Sequence, residues 1–236
     1  HCVIKRDRIS TGLPIAIDAT CSGIQIIAGL TKCKSTAKMV NVLPSSEPQD
    51  VYKVIAETSK PNIPLKLRPD WDRKCTKRTV MTIPYNAKPF SNRTYIKEAL
   101  KDKELEVDKE ELTQTVNAVR DAMNVIVPGP MRVMKWIESE VSNAIKRGAT
   151  ELEWVTPSGF VVSQRIFKKE FERITLQVLG QCNMKVGTGD SSEVDKARHK
   201  AATAPNLIHS LDASLLCLSA LDFNHPIALI HDSVLC

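Results

Sequence analysis

The 236-residue sequence has no uninterrupted apolar stretch near the roughly 18 to 20 residues that a membrane-spanning helix needs. It begins HCVIKRDR, without Met and without a signal-peptide pattern, and so reads as an excised fragment, a processed piece or one part of a split protein. Its seven cysteines, at positions 2, 21, 33, 75, 182, 217 and 236, include no Cys-x-x-Cys pair. Their odd number and irregular spacing argue against a zinc site and a disulfide framework, and fit a reducing compartment. There is no glycine-rich phosphate loop, no internal repeat and no low-complexity tract. What remains is an ordinary globular composition, 42% hydrophobic and 25% charged, which sets disordered and collagen-like classes aside. The length suffices for one core or for two lobes of one domain.

The net charge of +6 is mild, but it is unevenly distributed. Residues 60–103 hold twelve Lys or Arg against four Asp or Glu, a local +8, which leaves −2 for the rest. Such a segment suggests polyanion binding, with a solvated helix face as the alternative.

LPIAID reads as a short buried strand, followed by CSGIQIIAGL with apolar residues spaced for a helix packed on it. NVLPSSEPQD is turn-rich, VYKVIAETSK can be helical, and PNIPLKLRPDW reads as a loop. A helix is predicted from Arg73 to about Ile83, with Pro84 ending or bending it. TYIKEALKDKELEVDKEELTQTVNAVRDAM is helical in composition. In the next helical stretch Met131, Met134, Trp136, Ile137, Val141 and Ile145 form a predicted core stripe. ELEWVTPSGFVVSQRI and ERITLQVLGQCNMKV alternate apolar and polar residues and are predicted to make one long hairpin, followed by a polar, mobile TGDSSEVDKARHK. APNLIHSLDASLLCLSAL is predicted to be a helix with Pro205 near its start, and HPIALIHDS a last buried strand.

Two predicted strand ends carry an aspartate, Asp18 and Asp232. Two converging carboxylates suit a pair of divalent cations in phosphoryl transfer, although strand-terminal Asp also commonly begins a turn. Arg73 and Lys77, four apart, share a helical face, with Tyr85 eight further on. Two cations and a phenol suit a triphosphate held at one end and a sugar or base touched at the other; packing is the alternative role for Tyr85.

Together these residues resemble a known family. DATCSGIQ, residues 18–25, resembles the first polymerase motif of the single-subunit, phage-type RNA polymerases, usually written DGSCSGIQ. RKCTKRTVMTIPYNAKPF, residues 73–90, is similar to their second motif, and IHDS, residues 230–233, to their third with its His-Asp pair. APNLIHSLDAS resembles the family's helix entry with a His, and EWVTPSGF a stretch that precedes its promoter-reading hairpin. The five matches occur in the family's order and span residues 13–236.

The resemblance implies an α+β, right-hand polymerase with mainly helical fingers, a partial antiparallel palm sheet and a long β-hairpin. Residues 1–45 would be palm, 46–150 fingers with the basic helix, 151–189 the promoter-reading region, its hairpin at about 164–185, and 190–236 palm. Asp18 and Asp232 would ligate two Mg2+ ions, with the Ala19 carbonyl a further ligand. Arg73 and Lys77 would hold the incoming triphosphate. Tyr85, aided by His209, would sense the ribose 2′-hydroxyl, and His231 would sit against the primer end or metal site, a structural role being its alternative. The implied partners are DNA template and promoter, RNA product, ribonucleoside triphosphates and a second polymerase chain supplying thumb and N-terminal regions, with no membrane. The implied setting is the cytoplasm of an infected bacterial host, CSGIQ and HDS favouring the phage side over the organelle branch.

This sequence departs from the family's pattern at Ala19 and Asn86, where it has Gly, at Pro84, and at Leu211, where it has Gln. Asn86 is compatible because Asn visits left-handed conformations. In the family the His-Asp pair sits in a hairpin turn, and the returning strand is expected to be missing here. A non-catalytic, polymerase-derived nucleic-acid-binding subunit is the competing reading. Retention of both Asp residues beside Arg73, Lys77 and Tyr85 argues against it, because binding alone has no use for metal ligands.

Overall fold

Aspartates open four of the helices by accepting hydrogen bonds from otherwise unpaired first-turn amides. Asp50 caps α3 (Val51–Ser59), Asp72 caps α4 (Arg73–Met81), Asp108 caps α6 (Lys109–Ile126) and Asp195 caps α8 (Lys196–Leu221). At Asp108 the bond is reciprocal, since Glu111 accepts from the Asp108 amide. The other helices are α1 (Ser22–Thr31), α2 (Lys34–Met39), α5 (Pro89–Lys101) and α7 (Pro128–Lys146). The computed structural model describes residues 2–5, 8–177, 181–231 and 233–236, with side chains from residue 12. Among them the chain is α+β, with eight α-helices and four small antiparallel sheets, and no helix is long and apolar enough to cross a membrane.

The core lies between the helices. Ile24 and Ile27 of α1, Ile55 of α3, Val80 of α4, Ile96 and Leu100 of α5, Val119 and Met123 of α6 and Ile208 of α8 are almost completely buried in one cluster. The proline-rich stretch expected as a loop contributes as well. Its 3-10 turns, Lys60–Asn62 and Leu65–Leu67, insert Ile63 and Leu67 into the core. Trp71 then donates from Nε1 to the buried Ser59 hydroxyl at 3.1 Å.

The stripe on α7 needs one correction. Met131, Met134, Ile137, Val141 and Ile145 are buried, whereas Trp136 is 63% exposed. At about 100° per residue, position 136 lies roughly 160° around the helix from the centre of that stripe.

Two hairpins replace the single predicted one. Strands β4 (Leu152–Val155) and β5 (Val161–Gln164) pair around the TPSG turn. Strands β6 (Phe167–Gln177) and β7 (Gln181–Val194) form the longer ribbon, which takes in the TGDSSEV segment expected to be mobile. DKARHK likewise belongs to α8, so Pro205 lies inside that helix rather than near its start. Asp195 provides the earlier start, and Pro205 leaves the Ala201 carbonyl without its helical N–H partner.

The strand carrying Asp18 is β3 (Ala16–Asp18), which pairs antiparallel with β9 (Ser233–Leu235); β9 pairs on its other edge with β8 (Ala228–Ile230). The missing returning strand is therefore present as β9, three residues long and central in the sheet. Reciprocal bonds between Ile15 and Cys236, at 2.7 and 3.1 Å, extend the ladder. The predicted burial of these strands is overturned. Ile15, Ile17, Leu229 and Ile230 are exposed, because no second layer of described residues covers either sheet face. Strands β1 (Cys2–Lys5) and β2 (Arg8–Thr11) form a separate hairpin.

A polar network, buried around His199, joins the hairpins to α8. Trp154 Nε1 donates to Ser210 Oγ at 2.9 Å, and the Ser158 amide to Ser214 Oγ at 2.8 Å. The Ile166 amide donates to Nε2 of the buried His199, whose Nδ1 meets Gln164 Nε2 at 3.1 Å. A protonated imidazole has no lone pair for that amide. Burial holds the His199 pKa below its ordinary 6.5, outweighing the nearby Asp195. The unfolded chain therefore binds the extra proton more readily, and the stability from neutral His199, complete above about pH 6.5, declines as pH falls below it. The urea midpoint should be lower at about pH 5.5 than at about pH 7.5, and His199→Gln should shrink that difference. An equal difference in both proteins would contradict this account.

Candidate active site

Helix α4 places Arg73 and Lys77 one turn apart on the side facing β3 and α1. Arg73 is held by side chains from a neighbouring helix. Its Nε lies 2.5 Å from Asp50 Oδ2, and its guanidinium lies 5.1 Å above the Tyr52 ring. Asp50 acts twice, since its other oxygen caps α3. The Tyr52 hydroxyl donates to the Thr20 carbonyl at 2.9 Å, and burial raises its pKa well above the usual phenol value, which preserves the donor. Lys77 is exposed, as Arg73 is, but differs from it in having no carboxylate at ion-pairing distance among the described residues.

The segment after α4 brings Tyr85 back to the same cleft. The helix ends at Met81, two residues before the predicted end, and the Thr82 hydroxyl bonds the Arg78 carbonyl at 2.9 Å. Pro84 is buried against Gly23 of α1. A Cβ on Gly23 would lie 2.8 Å from Pro84 Cβ and 3.0 Å from its Cγ, so only glycine permits this approach. Asn86 follows with φ of 61°, the left-handed conformation that its departure from Gly requires, and its Nδ2 donates to the Lys200 carbonyl at 3.1 Å. Between them Tyr85 stacks on His209 of α8, ring centres 4.6 Å apart and planes 9° from parallel.

The third part comes from the sheet. Asp18 ends β3 and pairs in register with Ser233, the residue after Asp232 in the sequence. His231 follows β8 with φ of 55°. Asp232 lies outside the described residues. Ser22, which opens α1, donates to Asp212 Oδ2 of α8 at 3.0 Å and ties the loop after Asp18 to the helix carrying His209.

One cleft is consequently lined by Asp18, Ala19, Tyr52, Arg73, Lys77 and Tyr85, with the start of α1 and Pro84 behind them. His209 reaches it through Tyr85, while His231 is not among its lining residues. A carboxylate and a backbone carbonyl at one side are hard oxygen donors, two cations at the other suit phosphates, and the phenol can read a hydroxyl. Among the described residues no three His, Cys, Asp or Glu side chains cluster as a metal site. Sequence reasoning missed Asp50 and Tyr52. Asp50 before an apolar helix was readable as a cap, but nothing in the order of residues linked it to Arg73, 23 positions later.

Comparison with known proteins gives the family. The model of the DNA-dependent RNA polymerase family matches residues 5–235. The DNA-directed RNA polymerase of Enterobacteria phage K11 is 29% identical, the similarity covering 94% of this chain and 31% of the phage protein. T7 RNA polymerase of Escherichia phage T7 is 27% identical, covering 94% and 32%. The chloroplastic DNA-directed RNA polymerase 3 of Nicotiana sylvestris is 32% identical, covering 94% and 24%. The chain thus spans about a third of the phage relatives' length and about a quarter of the chloroplast relative's. By the match of residues 5–235 and the phage relatives, the chain belongs to the phage-type, single-subunit branch of the DNA-dependent RNA polymerases.

Proposed function

We propose that this chain is the catalytic part of a DNA-directed RNA polymerase, extending an RNA 3′ end with ribonucleotides on a DNA template. The observation that carries this reading is the single cleft shared by Asp18, Ala19, Arg73, Lys77 and Tyr85. In the right-hand description, residues 1–45 and 190–236 are palm, 46–150 fingers and 151–189 the promoter-reading region. The ribbon β6–β7 is exposed along almost all of both strands, and a two-stranded ribbon has the width to enter a major groove.

The donors fit magnesium. Asp18 is exposed at a strand end with no ion-pairing cation among the described residues, and the Ala19 carbonyl lies beside it. Asp18, Ala19 and Asp232 would hold two magnesium ions, which when bound supply charge neutralisation at the reacting phosphate and activation of the RNA 3′-hydroxyl. Lys77, free of a competing carboxylate among the described residues, takes the triphosphate oxygens. Arg73, fixed by Asp50 and Tyr52, offers its remaining N–H groups from a set direction. These contacts orient the α-phosphorus for attack by the 3′-hydroxyl, with pyrophosphate leaving. The Tyr85 phenol, aligned by His209, reads the ribose 2′-hydroxyl, and His231 faces the RNA end. Relatives occur in phages and organelles; a bacterial host infected by a phage is the proposed setting, on the CSGIQ and HDS motifs.

The tests use an assembly that carries the remaining polymerase regions, covalently or on a second chain. Asp18→Asn should lower nucleotide incorporation by about a hundredfold or more while template binding persists. Incorporation near the wild-type rate would leave only the nucleic-acid-binding role. Tyr85→Phe should keep most of the incorporation rate and relax discrimination against deoxynucleotides. Unchanged ribose preference would show that the Tyr85 phenol does not read the sugar.

A further inference from the structure

On the other side of the Tyr85–Asn86 turn lies a second pocket, lined by Asn86, Ala87, Lys88, Arg120, Lys135 and Glu138, over Ile83 and Met131. Arg120, half-buried on α6, donates to Asn92 Oδ1 at 2.8 Å and reaches the Ala87 carbonyl at 3.5 Å, both neutral acceptors. Asp121 is its nearest electrostatic partner, but no carboxylate lies at ion-pairing distance among the described residues, so most of its five N–H donors remain available. Lys88 pairs with Glu138. Its pKa is nevertheless held below the ordinary lysine value, first by burial and then by repulsion from Lys200 and Arg120. Lys135 has no ion-pairing partner among the described residues. Three cations, Lys88, Arg120 and Lys135, thus line the pocket with one carboxylate, Glu138, and Lys200 lies close enough to repel Lys88.

Such crowding is unfavourable unless an anion relieves it. The pocket also continues outward. Arg120, Met131 and Lys135 line an adjoining open groove with Asn117, Asp121 and Asn124. An isolated small anion would need only the inner pocket; an inner cationic pocket running into a polar groove suits a chain of phosphates. The pocket and the nucleotide cleft share one turn, with Tyr85 lining one and Asn86 and Ala87 the other.

We infer that Arg120, Lys88 and Lys135 bind a backbone phosphate of the DNA strand that enters the nucleotide cleft, with α6 and α7 guiding that strand away from it. The inference rests on the polymerase reading. It makes the site sequence-independent, since phosphate contacts position a strand without reading bases.

The test is the salt dependence of binding of fluorescein-labelled single-stranded DNA, followed by anisotropy. Lys135→Gln, at an exposed position, and Arg120→Gln should each raise Kd severalfold on every sequence and flatten the slope of log K against log salt by about 0.7. Lys109→Gln, at the start of α6 and outside both grooves, should leave both values unchanged, as should ATP affinity in all three variants. If Lys135→Gln and Arg120→Gln leave the slope unchanged while melting like the wild type, the phosphate site is overturned. If ATP affinity falls while DNA binding holds, the pocket serves the nucleotide and the inference is equally overturned. DNA binding does not require Asp18, so an active Asp18→Asn enzyme would remove the catalytic reading without altering this result.

Discussion

The contact between Gly23 and Pro84 sets the arrangement of everything around the cleft. Three segments meet there: the first turn of α1, the turn after α4, and Ile208 of α8, whose Cγ2 would lie 3.3 Å from a Cβ on Gly23. Helix α1 begins four residues after Asp18, so its seat on Pro84 fixes where the end of β3 points. Tyr85 follows Pro84, and His209 follows Ile208. The absence of one methyl group therefore brings the acid, the phenol and its stacking partner within one small region. Close-packed interiors transmit a displacement of this kind rather than absorb it.

Electrostatics divides the two cations of α4 into different roles. Arg73 is immobilised by a carboxylate that also caps α3 and by an aromatic face, so its direction is determined before any substrate arrives. Lys77 carries an exposed point charge on a flexible stem. In the proposed reaction a fixed fork beside a mobile charge suits a triphosphate, which is oriented on entry and leaves as pyrophosphate.

How much of this was legible in the sequence depended on whether the signal was local. The spacing of Arg73 and Lys77 and the apolar spacing from Met131 to Ile145 are short-range patterns, and they recur in the fold. Trp136 was misjudged because hydrophobicity outweighed its angular position on α7. Pro205 suggested a helix start because proline is favoured there, yet Asp195 captured the amide of Arg198 and began α8 ten residues earlier. The link between Asp50 and Arg73, the seat of Pro84 on Gly23 and the insertion of β9 between β3 and β8 depend on tertiary packing, which sequence order does not encode locally. The burial of β3 and β8 was inferred from apolar content, but a strand is covered only where a second layer lies against it, and these two are exposed.

Asp18 and Asp232, at opposite ends of the chain, are proposed to serve one metal site. The backbone register supports it by pairing Asp18 with the residue that follows Asp232. The most direct measurement is Mn2+ binding in the presence of a ribonucleoside triphosphate, read from the free-ion electron paramagnetic resonance signal, in the wild type, Asp18→Asn, Asp232→Asn and the double variant. The account predicts that each single change removes the same binding event and that the double change removes no more. Independent losses that add in the double variant, or binding that survives either single change, would contradict it.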